Sequence, residues 1–434
     1  VNLQEFNFPD MLLIRQKFQV PHPIEPNNAV DRALSRIPGE LVSLSGSSVA
    51  VCVGSRGIDG IVPVVRRVVE RLHAAGADVF VIPAMGSHGG ATAKGQLEVL
   101  AHRGITEASV GCRIIADMET ARLGETADGI PLFINRLAYE ADALCLINRI
   151  KPHTNFIGAT ESGILKMAAI GLGNQVGAEH YHRLSMVRDQ YSIISSAGRD
   201  IILRKECVIG VAVVENQKHQ ICRIDAAVGP AIEPMETEML IYARALMPGL
   251  PMDDIDLLIV DEMGKNISGE GIDPNVVGRD CCTYGARRSR PRITRIFVRD
   301  LTEFSVGSAL GIGQADFCLS RLVKKIDTEA TYVNCLTACC PEAARIPMTF
   351  DTDGEAIKAA LTSIRPCTER DIGVVRIKNT MDLETLLVSE AYREEMEALE
   401  TVEILGKADN PAIDAAGMLN PIPEPVRVRN RSLP

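Results

Sequence analysis

Two of the eight histidines in this 434-residue chain stand where a side chain has little to pack on. His88 lies in the glycine loop Gly86-Ser87-His88-Gly89-Gly90, and His153 closes Lys151-Pro152-His153, where proline fixes the preceding backbone. Imidazole titrates near neutral pH and can both take and give a proton. Two such groups on opposite sides of one carbon suit a reaction that treats both enantiomers alike. Taken singly, each also reads as an ordinary loop histidine. Lys166 is a lone cation in Glu161-Ser162-Gly163-Ile164-Leu165-Lys166-Met167-Ala168-Ala169. Burial would make its amine a usable nucleophile. An amphipathic helix would instead let it reach out to water. His180-Tyr181-His182 places two imidazoles two residues apart, on different faces of a helix, so at most one reaches a given metal. One histidine is too few for a structural zinc site.

Glycines in Gly54-Ser55-Arg56-Gly57 and in Gly86–Gly90 let backbone N–H groups approach an anion closely. Ser55 and Ser87 can donate to it, and Arg56 can pair bidentately with a carboxylate or phosphate. Neither loop matches the dinucleotide or Walker patterns. Each also reads as a tight strand–helix turn.

These residues need strand ends to carry them. Ser48–Val53 and Asp78–Ile82 are short β-branched runs, each broken by one of the glycine loops and followed by helical spacing over Ile61–Leu72 and Thr92–Leu100. Ala141–Ile147 is a further buried strand leading into Asn148–His153. Alternation of this kind predicts a parallel sheet with helices on its faces, with ligands beyond the strands' carboxyl ends. Helices are expected over Gly163–Leu172, Ala178–Tyr191 and Ala226–Leu246, and strands over Val208–Val214 and Gln220–Ile224. Met247-Pro248-Gly249-Leu250-Pro251 is the clearest break in the chain. The expected fold is α/β with two domains, each a mostly parallel sheet flanked by helices, and an active site in the interdomain cleft. The first domain is expected over 1–250, completed by a tail at 400–434 that wraps back over it, and the second over 251–399.

Composition narrows the function classes. Aromatic residues make up 4% and Trp is absent, so the 46% hydrophobic content is aliphatic, as helix-covered sheets require. The net charge of −10 argues against a nucleic-acid or anionic-membrane surface. No run of 18 uncharged apolar residues occurs. The start lacks signal-peptide features and an initiator Met, which predicts a trimmed or incomplete end. Twelve cysteines without a signal peptide suit free thiols in a reducing cytoplasm. Cys281-Cys282 and Cys335 with Cys339-Cys340 form two clusters without a CxxC pair, so a metal role has little motif support.

Gly86-Ser87-His88, Pro152-His153, Ser162-Gly163-x-x-Lys166 and His182 stand in the order and approximate spacing of motifs in the nickel-dependent lactate racemase family, which the chain resembles. The resemblance implies a nickel-pincer nucleotide joined to Lys166 and cradled near Ser55, Arg56, Ser87 and Gly163. His182, sixteen residues beyond the lysine, would ligate nickel. His88 and His153 would be the general acid/base pair. Lys265, in Asp261–Gly269, would be a second-domain polar group at the substrate. The family reaction passes a hydride from the 2-carbon to the cofactor and returns it to either face. Val53, the longer stretch between His153 and Lys166, and a different second-domain motif depart from the lactate enzymes. They point to another 2-hydroxy acid.

The leading expectation is an isomerase, a racemase or epimerase of a small 2-hydroxy acid. It would depend on cofactor-biosynthesis proteins, with no nucleic-acid or membrane partner, and a homo-oligomer is compatible with it. The alternatives are a metal-dependent lyase or dehydratase on sugar acids, and a non-catalytic ligand-binding protein.

Overall fold

The structure, a computed structural model, describes residues 8–55, 57–282, 284–286, 288–366, 368, 370–408 and 413–423. Arg56 lies outside the described residues. The chain divides into two compact units, 19–247 and 1–18 with 248–434. Among the described residues no helix is long and apolar enough to cross a membrane.

The first strand, β1 (Met11–Gln16), belongs to the second of these units. In the unit 19–247 the chain then forms β2 (Ser48–Val53), β3 (Asp78–Pro83), β4 (Arg113–Ile114), the hairpin β5 (Thr120–Glu125) with β6 (Pro131–Asn135), β7 (Ala143–Arg149), β8 (Cys207–Glu215) and β9 (Ile221–Val228). Six of them make one sheet in the order β4-β3-β2-β7-β8-β9, parallel except for the β8–β9 pair. Strand residues alternate between its faces. Val49, Val51 and Val53 pack with helices Pro26–Leu34 and Ile61–Ala74, while Ala50, Cys52, Leu144 and Leu146 pack with helices Gln190–Arg204 and Ile232–Ala245. Both faces are thus covered, as parallel strands require.

In the other unit, β10 (Asp254–Val260), β11 (Arg292–Val298), β12 (Phe317–Leu319), β13 (Met348–Phe350), β14 (Val374–Ile377), β15 (Thr385–Ser389) and β16 (Val402–Ala408) join β1. The order is β13-β12-β11-β10-β14-β15-β1-β16. The first five are parallel and the last three antiparallel. Helix Asp353–Thr362 packs Ala356, Ile357 and Ala360 into its core.

This corrects the expected domain limits. The chain start and the tail complete the second unit, because β1 lies between β15 and β16 with backbone pairs to both. The described tail stays with that unit, where the Leu419 N–H donates to Asp353 at 2.8 Å.

Three helices also differ from expectation. The segment expected as one helix over Ala178–Tyr191 ends at Leu184, and a second begins at Gln190. Asp189 caps this second helix by accepting from the Ser192 N–H at 2.8 Å. Ala226–Leu246 begins as strand, because β9 continues to Val228 before Gly229-Pro230 breaks it and the helix starts at Ile232. Gly163–Leu172 is one helical turn, Ile164–Lys166, followed by a π-turn over Met167–Gly171 in which the Leu172 N–H donates to the Met167 carbonyl at 2.8 Å. Cys282 and Cys340, expected as free thiols, form a disulfide. Their Cα atoms lie 5.4 Å apart, inside the range a disulfide spans.

Candidate active site

From β2 the chain proceeds outward to β3 and β4, then returns to β7 and β8 on the other side of β2. The winding therefore reverses between β2 and β7, and open α/β sheets bind ligands in the crevice at such a reversal. Three loops leave the carboxyl ends of adjacent strands here: Gly54-Ser55 after β2, Gly86–His88 after β3 and Lys151–His153 after β7. The histidine loops and the serine loop are thus brought to one edge. Ser55 and Ser87 are both partly buried there.

The β3 loop is fixed against the chain that follows Lys166. Gly86 donates its N–H to the Gly171 carbonyl at 3.1 Å and its own carbonyl accepts from Gln96 Nε2 at 2.9 Å. Gly86 has φ +61, and a Cβ on it would lie 3.1 Å from the Ile170 carbonyl oxygen, so glycine answers both the turn and the close approach. His88 Nδ1 lies 2.8 Å from the Met85 carbonyl. A carbonyl only accepts, so Nδ1 carries the proton of the neutral ring and Nε2 is its basic nitrogen.

His153 is held more closely. Its backbone N–H donates to Glu161 Oε2 at 2.5 Å, its ring stacks on Phe156 with centroids 4.3 Å apart, and Nε2 lies 2.5 Å from Lys166 Nζ. The Asn155 N–H donates to Nδ1 at 3.0 Å. A backbone N–H can only donate, so Nδ1 is the acceptor and the neutral ring carries its proton on Nε2. Lys166 Nζ faces that ring nitrogen.

Glu161, 2% exposed, organises the loop. Its Oε1 accepts from the Gly158 N–H at 3.1 Å and from Arg244, whose Nη2 also donates to the Gly158 carbonyl at 2.7 Å. Lys151 and Ser162 exchange backbone hydrogen bonds, and Asn148 at the end of β7 donates to the Gly163 carbonyl at 2.7 Å.

A second buried carboxyl, Glu236, sits at the start of the Lys166 turn. It accepts from the Leu165 N–H at 3.0 Å, and burial pushes its pKa up to about 8. Gly163 is required beside it, because a Cβ there would lie 2.1 Å from Glu236 Oε1 and 2.8 Å from Ile150 Cδ1.

His180 and His182 separate as their spacing requires. His180 faces the ring of Phe133, with centroids 5.5 Å apart. His182 is partly covered and within electrostatic reach of Lys166. Burial first, and the lysine charge second, hold its pKa down to about 4. It is therefore a neutral imidazole at physiological pH, the form that ligates metals.

His153, Lys166 and His182 are thus assembled in the unit 19–247, with Gly163 shaping the lysine turn and His88 on the neighbouring loop. Lys265 belongs to the other unit, where its Nζ donates to Asn334 Oδ1 at 2.7 Å and its N–H to Ser305 Oγ at 3.0 Å. Sequence reasoning missed Asn148, Glu161, Glu236 and Arg244 as site-building residues. Glu236 carried a readable signal, since it shares the apolar stripe of Ile232, Met239 and Leu240.

The unit 19–247 is a doubly wound α/β fold whose strand-end loops carry His88 and His153, with Lys166 beside His153. Residues 13–194 match the lactate racemase N-terminal domain. The structure of lactate racemase apoprotein from Thermoanaerobacterium thermosaccharolyticum is similar in fold, with TM-score 0.51 at 14% identity, covering 85% of this chain and 94% of that one. A Thermotoga maritima protein aligns over 64% of this chain and 72% of its own at 16% identity, with TM-score 0.47. No curated protein matches the chain significantly in sequence.

Proposed function

We propose that the chain is a racemase or epimerase that inverts the 2-carbon of a small 2-hydroxy acid, with a nickel-pincer nucleotide as its cofactor. The observation that carries this reading is the grouping of His153, Lys166 and His182 within a lactate racemase N-terminal domain. The donor set fits the cofactor. Lys166 offers an amine beside His153 Nε2, and His182 offers a neutral imidazole with one unprotonated nitrogen near pH 7. Lys166 would anchor the group and His182 would ligate its metal. When bound, the group supplies a hydride acceptor for the 2-carbon.

The chain's own residues then handle binding and protons. His88, with Nε2 as its basic nitrogen, takes the hydroxyl proton from one enantiomer, and His153 serves the other. Ser55, Ser87 and backbone N–H groups of the glycine loops bind anionic groups at the strand ends, and Arg56 adds a bidentate donor. Glu161 and Arg244 hold the His153 loop in register.

The test is to produce the chain together with cofactor-making proteins, map its mass by peptide, and screen 2-hydroxy acids for inversion. A covalent adduct on Lys166 is expected, absent in Lys166→Ala. His88→Ala should keep the adduct and lose about 10²–10⁴-fold in turnover. Near-full turnover in His88→Ala would contradict the assignment.

A further inference from the structure

The unit formed by residues 1–18 and 248–434 holds a second group of metal-seeking side chains that the proposed reaction does not use. Cys281, Cys282 and Cys340 place their sulfur atoms within 4.8 Å of one another. Cys282 and Cys340 are joined, although 58 residues separate them in sequence. All three belong to a small core satellite with Leu310, Cys335, Ala338 and Ala343. Such a satellite needs only small apolar side chains, so three converging sulfurs exceed what packing requires.

The surroundings favour a cation. The carboxylates of Glu270 and Asp280 lie close enough to Cys281 to act on it electrostatically. The Asp280 side chain is buried with Arg288 as its ion-pair partner at 3.8 Å, and among the described residues no donor meets its Oδ2. Its Oδ1 accepts from the Cys282 N–H at 2.8 Å, which ties the acid to the cysteine loop. A bound divalent cation favours thiolates and is itself favoured by the nearby acids.

We propose that Cys281, Cys282 and Cys340, when reduced, form a thiolate site for a zinc-class divalent ion, and that the Cys282–Cys340 disulfide is the form that excludes the ion. Three thiolates leave one coordination position for water or a further ligand. Loading releases the three thiol protons as the three sulfur–metal bonds form. Disulfide formation removes two protons and two electrons from Cys282 and Cys340, and a low-molecular-weight disulfide accepts them as two thiols. The two states cannot coexist, since both sulfurs are spent in the S–S bond. Helix Thr328–Thr337 ends three residues before Cys340 and carries Asn334, the acceptor for Lys265. Exchange between the states therefore acts on the segment that holds that lysine.

The experiment uses the full chain carrying His182→Ala, so that zinc at the proposed nickel ligand is not counted. Reduced protein is titrated with zinc against a chromophoric chelator, before and after oxidation with a small-molecule disulfide. One zinc per chain is expected in the reduced form and none in the oxidised form, with peptide mapping locating the Cys282–Cys340 link. Cys281→Ser, Cys282→Ser and Cys340→Ser should each weaken binding at least tenfold. Equal binding in all three variants, or zinc retained after oxidation, overturns the proposal. If the variants unfold, alkylation of the reduced chain decides. Zinc should protect Cys281, Cys282 and Cys340 while leaving Cys112 and Cys207 unchanged, and uniform protection or none overturns it.

Discussion

Glu161 shows how much of the site depends on a residue that touches no reacting atom. Its two oxygens hold the His153 N–H, the Gly158 N–H and Arg244. Glu161→Ala orphans those buried donors and lets the histidine drift from Lys166. A displacement near 1 Å costs about 10²-fold in rate, and that loss in 2-carbon inversion is expected, with the Lys166 adduct retained. His182 gives a pH signature in the chain without metal. Its pKa is about 4 in the folded protein against 6.5 ordinarily. Between those values the unfolded chain binds a proton that the folded chain refuses. Stability present above pH 6.5 is therefore lost as pH falls towards 4, by on the order of 3 kcal/mol. Denaturant unfolding at several pH values should show this slope in the wild type and a shallower one in His182→Gln. The histidines and lysine were legible in sequence because glycine, proline or an apolar run isolates each of them. Glu161 and Arg244 were not, because their partners lie in backbone far along the chain.

At the scale of elements, the Lys166 turn is set by close packing at both ends. Gly163 abuts Glu236, and Gly198 of helix Gln190–Arg204 leaves room for the Leu165 carbonyl, which would lie 2.4 Å from a Cβ. Gly163→Ala drives a methyl group into the Glu236 carboxyl. Such overpacking costs about 1–3 kcal/mol, and a fall in unfolding midpoint without change in cooperativity would report it. The strands β2, β3 and β7 were readable from β-branched runs ended by glycine or Asn-Arg. The π-turn was not, since Met167–Gly171 has the composition of ordinary helix, and its close approach to the Ala84 carbonyl, 2.6 Å from where a Cβ on Gly171 would lie, is a tertiary feature.

Across the whole chain, sequence periodicity located strands of the first sheet but not the crossing of the chain ends. β1 is six residues long, and its place between β15 and β16 is a pairing across at least 370 residues, from Arg15 with Thr385 upwards, which local pattern cannot encode. A buried network then ties the tail to the sheet of that unit. Arg299 donates to Asp353 at 2.7 and 2.6 Å and to Asp261 at 2.8 Å, while Arg376 donates to Asp261 and, at 2.7 Å, to the Asn420 carbonyl. Asp353 is fully buried. Asp353→Ala would remove one of the two carboxylates that hold the buried Arg299 guanidinium, at about 1.5–3 kcal/mol for each charge-assisted hydrogen bond lost. Calorimetry should show that loss as a lowered transition of the unit 248–434.

Lys166 is proposed to anchor a nickel-bearing nucleotide at the switch point of the 19–247 unit. Peptide mass mapping of the chain produced with cofactor-making proteins tests it most directly. The account predicts a covalent adduct on the peptide containing Lys166, with nickel lost in His182→Ala. An unmodified Lys166 in a chain that nevertheless inverts a 2-hydroxy acid would contradict it.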